Sequence, residues 1–457
     1  MMKKFLAYFG FAVIEALLLF KNTESIAYPI AVILALVGIF YTVKHFNRNS
    51  LIITGLIVML SLSAMLIMDW TTIFIAKKLI ILLLILLVVE NGQALHVQNM
   101  RSELYRYLIV VKTTLLASFK ALNYAQQMLT KHIKNPHIKY ILLGLIISLP
   151  LGSIVVALLS SADPMFARIT EGGFGWLLHG INLFNLIELP LHIIFFYMVA
   201  YGYVWNFKHQ PVVTKTYQAK GSSVIAITFT AVLALIYALF SLIQIAGLVH
   251  FKAGQVNYAA FAREGFFQLL AVSTLNLLVI IISVEFFHQH KLLDILLYII
   301  SGNTFILIGS SLTRMVLYVQ AYHLTWLRLF VLWFLIVLTA WLIGAIIYVR
   351  KRRGLFLKFT LLSFAGCYVI FALSNPNLQV VKYNMANHVP QKPTDMTYYQ
   401  AVQIEDIFAT LARQPQNIAA KRFVEQRRSW VLATPPQNLL HFNLAVYQAQ
   451  HAARSLK

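Results

Sequence analysis

The sequence predicts an all-α, polytopic membrane helix bundle of about eleven spans that ends in a small helical soluble domain. Two properties of the whole chain indicate this class. Apolar residues make up 60% of the 457 positions and charged residues only 11%, and the mean hydropathy of +0.75 is far above that of soluble domains. A third observation is local: apolar stretches of about 20 residues, enough to cross a bilayer as a helix, recur along the chain.

The net charge of +22 would favour nucleic-acid binding in a soluble protein. Membrane proteins, however, concentrate Lys and Arg in their cytoplasmic loops. We therefore predict the lipid bilayer as the surrounding partner and no nucleic-acid partner. The single cysteine, Cys367, lies in an apolar run, so no internal disulfide is expected.

Residues 1–90 predict four N-terminal spans. The segment 1–20 has the basic-then-apolar order of a signal peptide, but Glu15 interrupts its apolar run and no small-x-small site follows cleanly, which favours an uncleaved span. The other three are 26–43, 51–68 and 73–90. Residues 91–139 then form an amphipathic loop with seven Lys or Arg and one acid, Glu103, which is typical of a cytoplasmic segment facing lipid headgroups.

Residues 140–373 predict a core membrane domain of about seven spans. Their limits are 140–159, 183–207, 223–249, 258–284, 292–311, 325–349 and 355–373. Asp163 and Pro164 end the first of these helices, Pro190 kinks the second, and Ser301-Gly302-Asn303 loosens the fifth. Residues 374–457 are soluble in character, with three helices expected near 396–412, 415–431 and 436–453.

The distribution of basic residues predicts the orientation. With the N-terminus in the cytoplasm, the cytoplasmic loops hold nineteen Lys and Arg side chains and the opposite loops seven. This asymmetry places residues 374–457 on the extracytoplasmic side.

Polar residues inside or beside the spans gather on that outer side. A charge near lipid is costly unless it is paired, so these residues either join helix ends or line a vestibule that binds a ligand. Gln268 and Asn276 are expected to form an uncharged polar strip that faces the interior of the bundle. Arg314 could bind a lipid phosphate or a peptide carboxylate. The full set of ligand-binding or helix-pairing candidates is Asp163, Arg168, Arg263, Glu264, Gln268, Asn276, Arg314 and Arg328.

No catalytic or metal-binding motif is complete. The chain contains no GxSxG, HExxH or Walker sequence. Glu188 and His192 lie one turn apart, but no third ligand has metal spacing. The carboxylates of other spans, such as Glu90, Glu285 and Asp294, show no evident intramembrane partner. We predict no catalytic residue, no metal and no cofactor, and an enzyme is the less favoured interpretation.

Three sequence blocks resemble a bacterial membrane family of unknown function. SSADPMF at 160–166, YAAFAREGFFQLLAVSTLNLL at 258–278 and SSLTRMVLYVQAYHLTWLRLF at 310–330 occur in the order and spacing of the family called domain of unknown function 4173, with the related 4153. Asn375-Pro376, Tyr383-Asn384 and Asp395-x-x-Tyr398 look like that family's segment after its last span. The chain departs from the pattern at Gln268, where an acid is expected, and at His323, where glycine is usual.

The resemblance implies a multipass protein of the bacterial cytoplasmic (inner) membrane and supplies no activity or substrate. Together these observations predict a non-enzymatic envelope sensor or scaffold with a polar outward vestibule capped by the C-terminal domain. Its partner would be an envelope component or another membrane protein. The alternative is a transporter or a lipid-handling protein, which would need a continuous polar path across the bilayer.

Overall fold

A computed structural model describes residues 2–42, 47–91, 99–129, 183–209, 219–249, 266–352, 356–387, 402–414, 416–434 and 439–456. Every extended element in this part of the chain is an α-helix, which confirms the all-α prediction. The helices are α1 (Met2–Leu19), α2 (Ala27–Thr42), α3 (Arg48–Leu66), α4 (Trp70–Glu90), α5 (Met100–Leu129), α6 (Leu183–Lys208), α7 (Ser223–Val249), α8 (Phe266–Phe286), α9 (Lys291–Tyr322), α10 (Trp326–Lys351), α11 (Phe356–Leu373), α12 (Pro376–Ala386), α13 (Ile404–Ala412), α14 (Ile418–Ala433) and α15 (Leu444–Ser455).

Seven helices of the described residues are long and apolar enough to cross a membrane. They are α3, α4, α7, α8, α9, α10 and α11, and α2 is a shorter apolar helix. The predicted span 140–159 and the start of the span 258–284 lie outside the described residues. The total of about eleven spans therefore stays a prediction.

Three predicted helix limits differ from the structure, and one of them is the helix expected at 436–453, which begins at Leu444 with Asn443 as its N-cap. The span expected at 292–311 continues to Tyr322, because the hydroxyls at its expected end bond within the helix: Ser311 Oγ donates to the Leu307 carbonyl at 2.9 Å and Thr313 Oγ1 to the Gly309 carbonyl at 3.0 Å. The side chains predicted to loosen the helix do the same, since Ser301 Oγ donates to the Leu297 carbonyl at 2.8 Å and Asn303 Nδ2 to the Ile299 carbonyl at 3.1 Å. The helix expected at 396–412 is described from Ile404. An additional helix, Pro376–Ala386, begins at Asn375, whose side chain accepts a hydrogen bond from the Leu378 amide at 3.1 Å.

The chain forms two compact units. The first contains residues 1–23, 30–46 and 109–211. In it α1 packs on α6, and Asn206 of α6 donates to the Val110 carbonyl of α5 at 2.9 Å. A Cβ at Gly202 would lie 2.2 Å from Ser118 Oγ, so glycine permits this close helix contact.

The second unit contains residues 24–29, 47–108 and 212–457. Its largest core cluster joins α7, α8, α9 and α10. A second cluster, which includes Val381, Phe408, Phe423 and Ala449, joins the C-terminal helices. The C-terminal helices thus have a core of their own. The second unit contains the candidate spans as well as these helices, so a domain boundary at residue 374 stays a prediction.

Candidate functional site

Four predicted site residues, Asp163, Arg168, Arg263 and Glu264, lie outside the described residues. Of the remaining four, Gln268 and Asn276 differ in burial. Asn276 is fully buried and donates to Thr304 Oγ1 at 2.9 Å, whereas Gln268 is exposed in the described part of the chain. An offset of about 80° around the helix axis is enough to take Gln268 off the packed face.

Arg314 and Arg328 lie on different helices, since α9 ends at Tyr322 and α10 begins at Trp326. They therefore do not share the face of one continuous helix. Arg314 is half-buried in α9. Arg328 donates to the Tyr322 carbonyl at 2.6 Å and to the His323 carbonyl, and its guanidinium carbon lies 4.1 Å from the Tyr318 ring centroid. In this structure Arg328 satisfies the carbonyls at the end of α9, and the ligand role of both arginines stays a prediction.

His323 explains why a glycine suits the turn between α9 and α10. Its backbone has φ 66° and ψ 167°, a combination that residues other than glycine rarely adopt. The departure noted in the sequence thus falls on a position where the backbone favours glycine.

A cluster of buried polar side chains, which we call the tail seat, fixes the C-terminal helices to the ends of α3, α4, α9 and α10. It consists of Asp69, Asn375, Asn377, Asn384, Asp406 and Asn443. All but Asn375 are less than 10% exposed.

Asp406 is one centre of the tail seat. Its Oδ1 accepts from the Met68 amide at 2.8 Å and from Asn375 Nδ2 at 3.4 Å, and its Oδ2 accepts from Asn377 Nδ2 at 3.3 Å. Burial raises the pKa of this carboxyl to about 7, and the charges of Asp69 and Glu405 act in the same direction. Asp69 itself caps α4 through the Thr72 amide at 3.2 Å and accepts from Trp326 Nε1 at 2.9 Å.

Asn443 is the second centre. Its Nδ2 donates to the carbonyls of Glu24, Ala64 and Ile67 at 3.0, 3.2 and 3.1 Å. Its Oδ1 accepts from the Ala445 amide at 2.9 Å and so caps α15. One amide therefore satisfies the start of α15 and the end of α3.

Asn384 is the third centre. Its Oδ1 accepts from the Leu324 amide and its Nδ2 donates to the Leu324 carbonyl, both at 2.8 Å. This pair of bonds holds α12 to the turn that connects α9 and α10. The tail seat thus joins three tail helices to the spans largely through uncharged amides.

The opposite helix ends of the second unit form a different network, which we call the basic end. It consists of Glu90, Arg101, Glu103, Glu285, Asp294, Tyr348, Arg350, Lys351, Arg352 and Lys358. Three ion pairs cross between helices here: Lys358 with Glu90 at 2.7 Å, Arg352 with Asp294 at 2.5 Å, and Arg101 with Glu285 at 3.8 Å.

The start of α5 is bound to the ends of α4, α8, α10 and α11 at the basic end. Glu285 accepts from the Met100 amide at 2.8 Å and from the Tyr348 hydroxyl. Glu103 accepts from the amides of Leu357 and Lys358 at 2.9 and 2.6 Å, which caps α11, and burial raises its pKa to about 7. Carboxylates at helix N-termini are favoured by the helix dipole.

No group of three or more His, Cys, Asp or Glu side chains that could hold a metal occurs in the described residues. His192 Nδ1 lies 2.7 Å from the Glu188 carbonyl oxygen, one turn away on its own helix. Neither network brings a nucleophile and a base together in a cleft. The ion pairs and hydrogen bonds of the two networks join helices to one another.

The seven apolar helices and the networks at their ends define a multipass integral membrane protein of unknown activity. The chain belongs to the family described as domain of unknown function (DUF4153), whose model matches residues 54–413. The sequence blocks resemble family 4173, to which this family is related; membership of 4173 stays a prediction. No curated protein and no solved structure matches the chain.

Sequence reasoning missed both networks. Glu90, Glu285 and Asp294 have partners, contrary to the expectation of isolated carboxylates. The signal was available: each lies at the end of a predicted span that faces the predicted cytoplasmic side. For the tail seat, only Asn375 and Asn384 had been noted, through the family resemblance.

Proposed function

We propose that this chain is a non-enzymatic sensor or scaffold of the bacterial cytoplasmic membrane, with its C-terminal helices on the extracytoplasmic side. Those helices present the binding surface, and the spans hold them at a fixed orientation. The partner is an envelope component or another membrane protein.

The observation that carries this proposal is the tail seat. Asp406, Asn384 and Asn443 each bond to backbone groups at span ends, and each is at least nine-tenths buried. A buried backbone group that loses its partner costs about 1–3 kcal/mol. A loosely tethered tail would not need such contacts, whereas a surface held in register with the spans does.

The Lys and Arg side chains at the basic end support the orientation. They are Arg101, Arg350, Lys351, Arg352 and Lys358, and they lie at or near the ends of candidate spans. Basic residues favour the cytoplasmic side.

Single cysteines in a Cys367→Ala background test the orientation. Ser429 is exposed on α14 and Ser222 is exposed at the start of α7, at the basic end. An impermeant maleimide added to intact cells should label Ser429→Cys and should label Ser222→Cys only after permeabilisation. The reverse pattern would refute the orientation.

A photo-crosslinking residue in the tail tests the scaffold function. Trp430 is 46% exposed, whereas Phe423 on the same helix is 1% exposed. In intact cells a crosslinker at Trp430 should give a discrete higher-mass species that the matched position Phe423 does not give. Diffuse or absent products at Trp430 would contradict a scaffold.

The alternative, a transporter, requires a polar path through the bundle. Several buried hydroxyls of α8 and α9 donate to carbonyls of their own helix, as Ser273, Ser301 and Ser311 do at 2.8, 2.8 and 2.9 Å. Asn276 is buried beside them, and its Oδ1 accepts no hydrogen bond from the described residues. These self-satisfied hydroxyls favour the scaffold over the transporter.

A further inference from the structure

A cleft opens between α9 and α10 at the basic end. It has a volume of about 690 Å³ and is lined by Tyr298, Ile346, Ile347, Arg350 and Lys351. Two of these residues are cationic and the other three offer an apolar or aromatic surface. Such a wall beside two cations suits a ligand that has an apolar body and an anionic head.

The carboxylates nearby do not neutralise these two cations. Glu90, Glu285 and Asp294 pair with Lys358, Arg101 and Arg352, while Glu103 accepts from two backbone amides. Within the described residues, no carboxylate lies within ion-pair distance of Arg350 or Lys351, and both are exposed. The basic end therefore presents two uncompensated positive charges at the cleft.

The neighbouring Arg352 shows the contrast. Its Nη2 lies 2.5 Å from Asp294 Oδ1, and its Nη1 lies 3.2 Å from the Val284 carbonyl. The charge of Arg352 is therefore paired within the fold. Arg350 and Lys351 also suit the negative C-terminal end of the α10 dipole, but that preference does not account for the open apolar wall next to them.

We propose that this cleft binds an anionic phospholipid. Arg350 and Lys351 contact the phosphate headgroup, and Ile346, Ile347 and the Tyr298 ring contact the upper acyl chain. The site lies at the end of two candidate spans, where headgroup and chain meet, and basic pockets between transmembrane helices are suited to such lipids. This inference does not depend on the sensor or scaffold function.

Lipid-dependent melting of the purified full-length protein in detergent tests the site. Dioleoyl-phosphatidylglycerol should raise the melting temperature more than dioleoyl-phosphatidylcholine at equal concentration, because a ligand stabilises the state that binds it. The double variant Arg350→Gln/Lys351→Gln should weaken phosphatidylglycerol binding about 30-fold, which corresponds to about 2 kcal/mol. Phosphatidylcholine binding should change little.

Two controls separate this effect from general charge loss or damage. Lys421→Gln/Arg422→Gln removes the same charge from exposed positions of α14 and should keep the full lipid preference. Arg352→Gln should lower the melting temperature without lipid but keep the preference. Arg350→Lys, which retains the charge, should also keep it.

Three results would overturn the proposal. The first is an equal response of the wild type to both lipids, and the second is an unchanged preference in the folded double variant. The third is equal stabilisation by water-soluble glycerol phosphate, which would show that a free phosphate suffices. If the double variant does not fold, native mass spectrometry of Lys351→Gln takes its place, and retention of phosphatidylglycerol at the wild-type level would refute the site.

Discussion

Asn443 provides the sharpest test of the tail seat, because one side chain serves two roles that substitutions can separate. Its oxygen caps α15, and the two hydrogens of its NH₂ group are shared among three carbonyls, two of them at the end of α3. Loss of a helix cap costs about 1 kcal/mol. Each buried carbonyl left without a donor adds about 1–3 kcal/mol. Since carbonyls have two lone pairs and part of the site can relax, we expect Asn443→Ala to lose about 3–5 kcal/mol.

Asn417 is the matched control. It caps α14 by accepting from the Ala420 amide at 3.1 Å, and this bond lies within the tail and does not reach a span. Asn417→Ala should therefore lose only about 1 kcal/mol. The measurement is thermal melting of the detergent-solubilised protein, followed by fluorescence-detected size exclusion, with limited proteolysis of residues 402–456 as a local readout.

Asn443→Asp separates the two roles. Aspartate and asparagine are about equally good helix caps, so a residue that only caps would tolerate the change. A carboxylate at this position would instead face three carbonyl oxygens with no hydrogen to donate, and we expect a loss at least as large as that of Asn443→Ala. If Asn443→Asp melts like the wild type, or if Asn443→Ala loses no more than Asn417→Ala, the bonds to α3 do not hold the tail and the reasoning fails.

Three further predictions concern Asp406, His323 and Tyr348. The folded pKa of Asp406, about 7, lies above its ordinary value of 3.8. The contribution of this carboxyl to stability is therefore fully present below pH about 4 and is lost as pH rises through about 7. Asp406→Asn should flatten the resulting fall in melting temperature between about pH 5 and 8, and an unchanged slope would contradict this linkage. His323→Gly should stabilise by about 1 kcal/mol, the strain of about 1–3 kcal/mol less the entropic cost of glycine; an unchanged or lower melting temperature would refute this. Tyr348→Phe removes the hydroxyl that binds Glu285 and should lose about 1.5–3 kcal/mol, clearly more than Tyr447→Phe at a 51% exposed site, and equal losses would contradict a role for that bond.

The helices themselves could be predicted from the sequence, because lipid imposes length and apolarity on a span. Helices α3, α4, α10 and α11 begin and end within a few residues of the predicted limits. Among the candidate spans the exception is α9, where polar residues suggest a weak helix. Ser301 and Asn303 bond to carbonyls of their own helix, and hydropathy alone does not distinguish such a side chain from one that opens the helix. Outside the spans, α12 was not predicted, and α15 begins at Leu444 rather than at 436.

The contacts of Asp406 and Asn443 with the span ends could not be predicted, because these partners are hundreds of positions apart. Asp406 binds the Met68 amide and Asn443 binds the Ala64 carbonyl, and neither backbone group leaves a mark in the sequence. The ion pairs of the basic end could be predicted more readily from the sequence. Opposite charges at span ends on one predicted side, such as Glu90 and Lys358, can be paired once the topology is fixed.

The two networks join helices by different means, and this difference bears on the proposed function. Ion pairs such as Arg352 with Asp294 tolerate changes of angle, since Coulomb attraction depends mainly on distance. The amides of Asn384 and Asn443 bond to backbone groups with defined directions, so the tail helices fit the span ends in one orientation. A tilt of α13 or α15 would break bonds to the ends of α3 and α4 or leave buried carbonyls without a hydrogen-bond donor. Under the proposed sensor function, a ligand that moves the tail must therefore also move those span ends, and this is the physical route by which binding outside would reach the basic end.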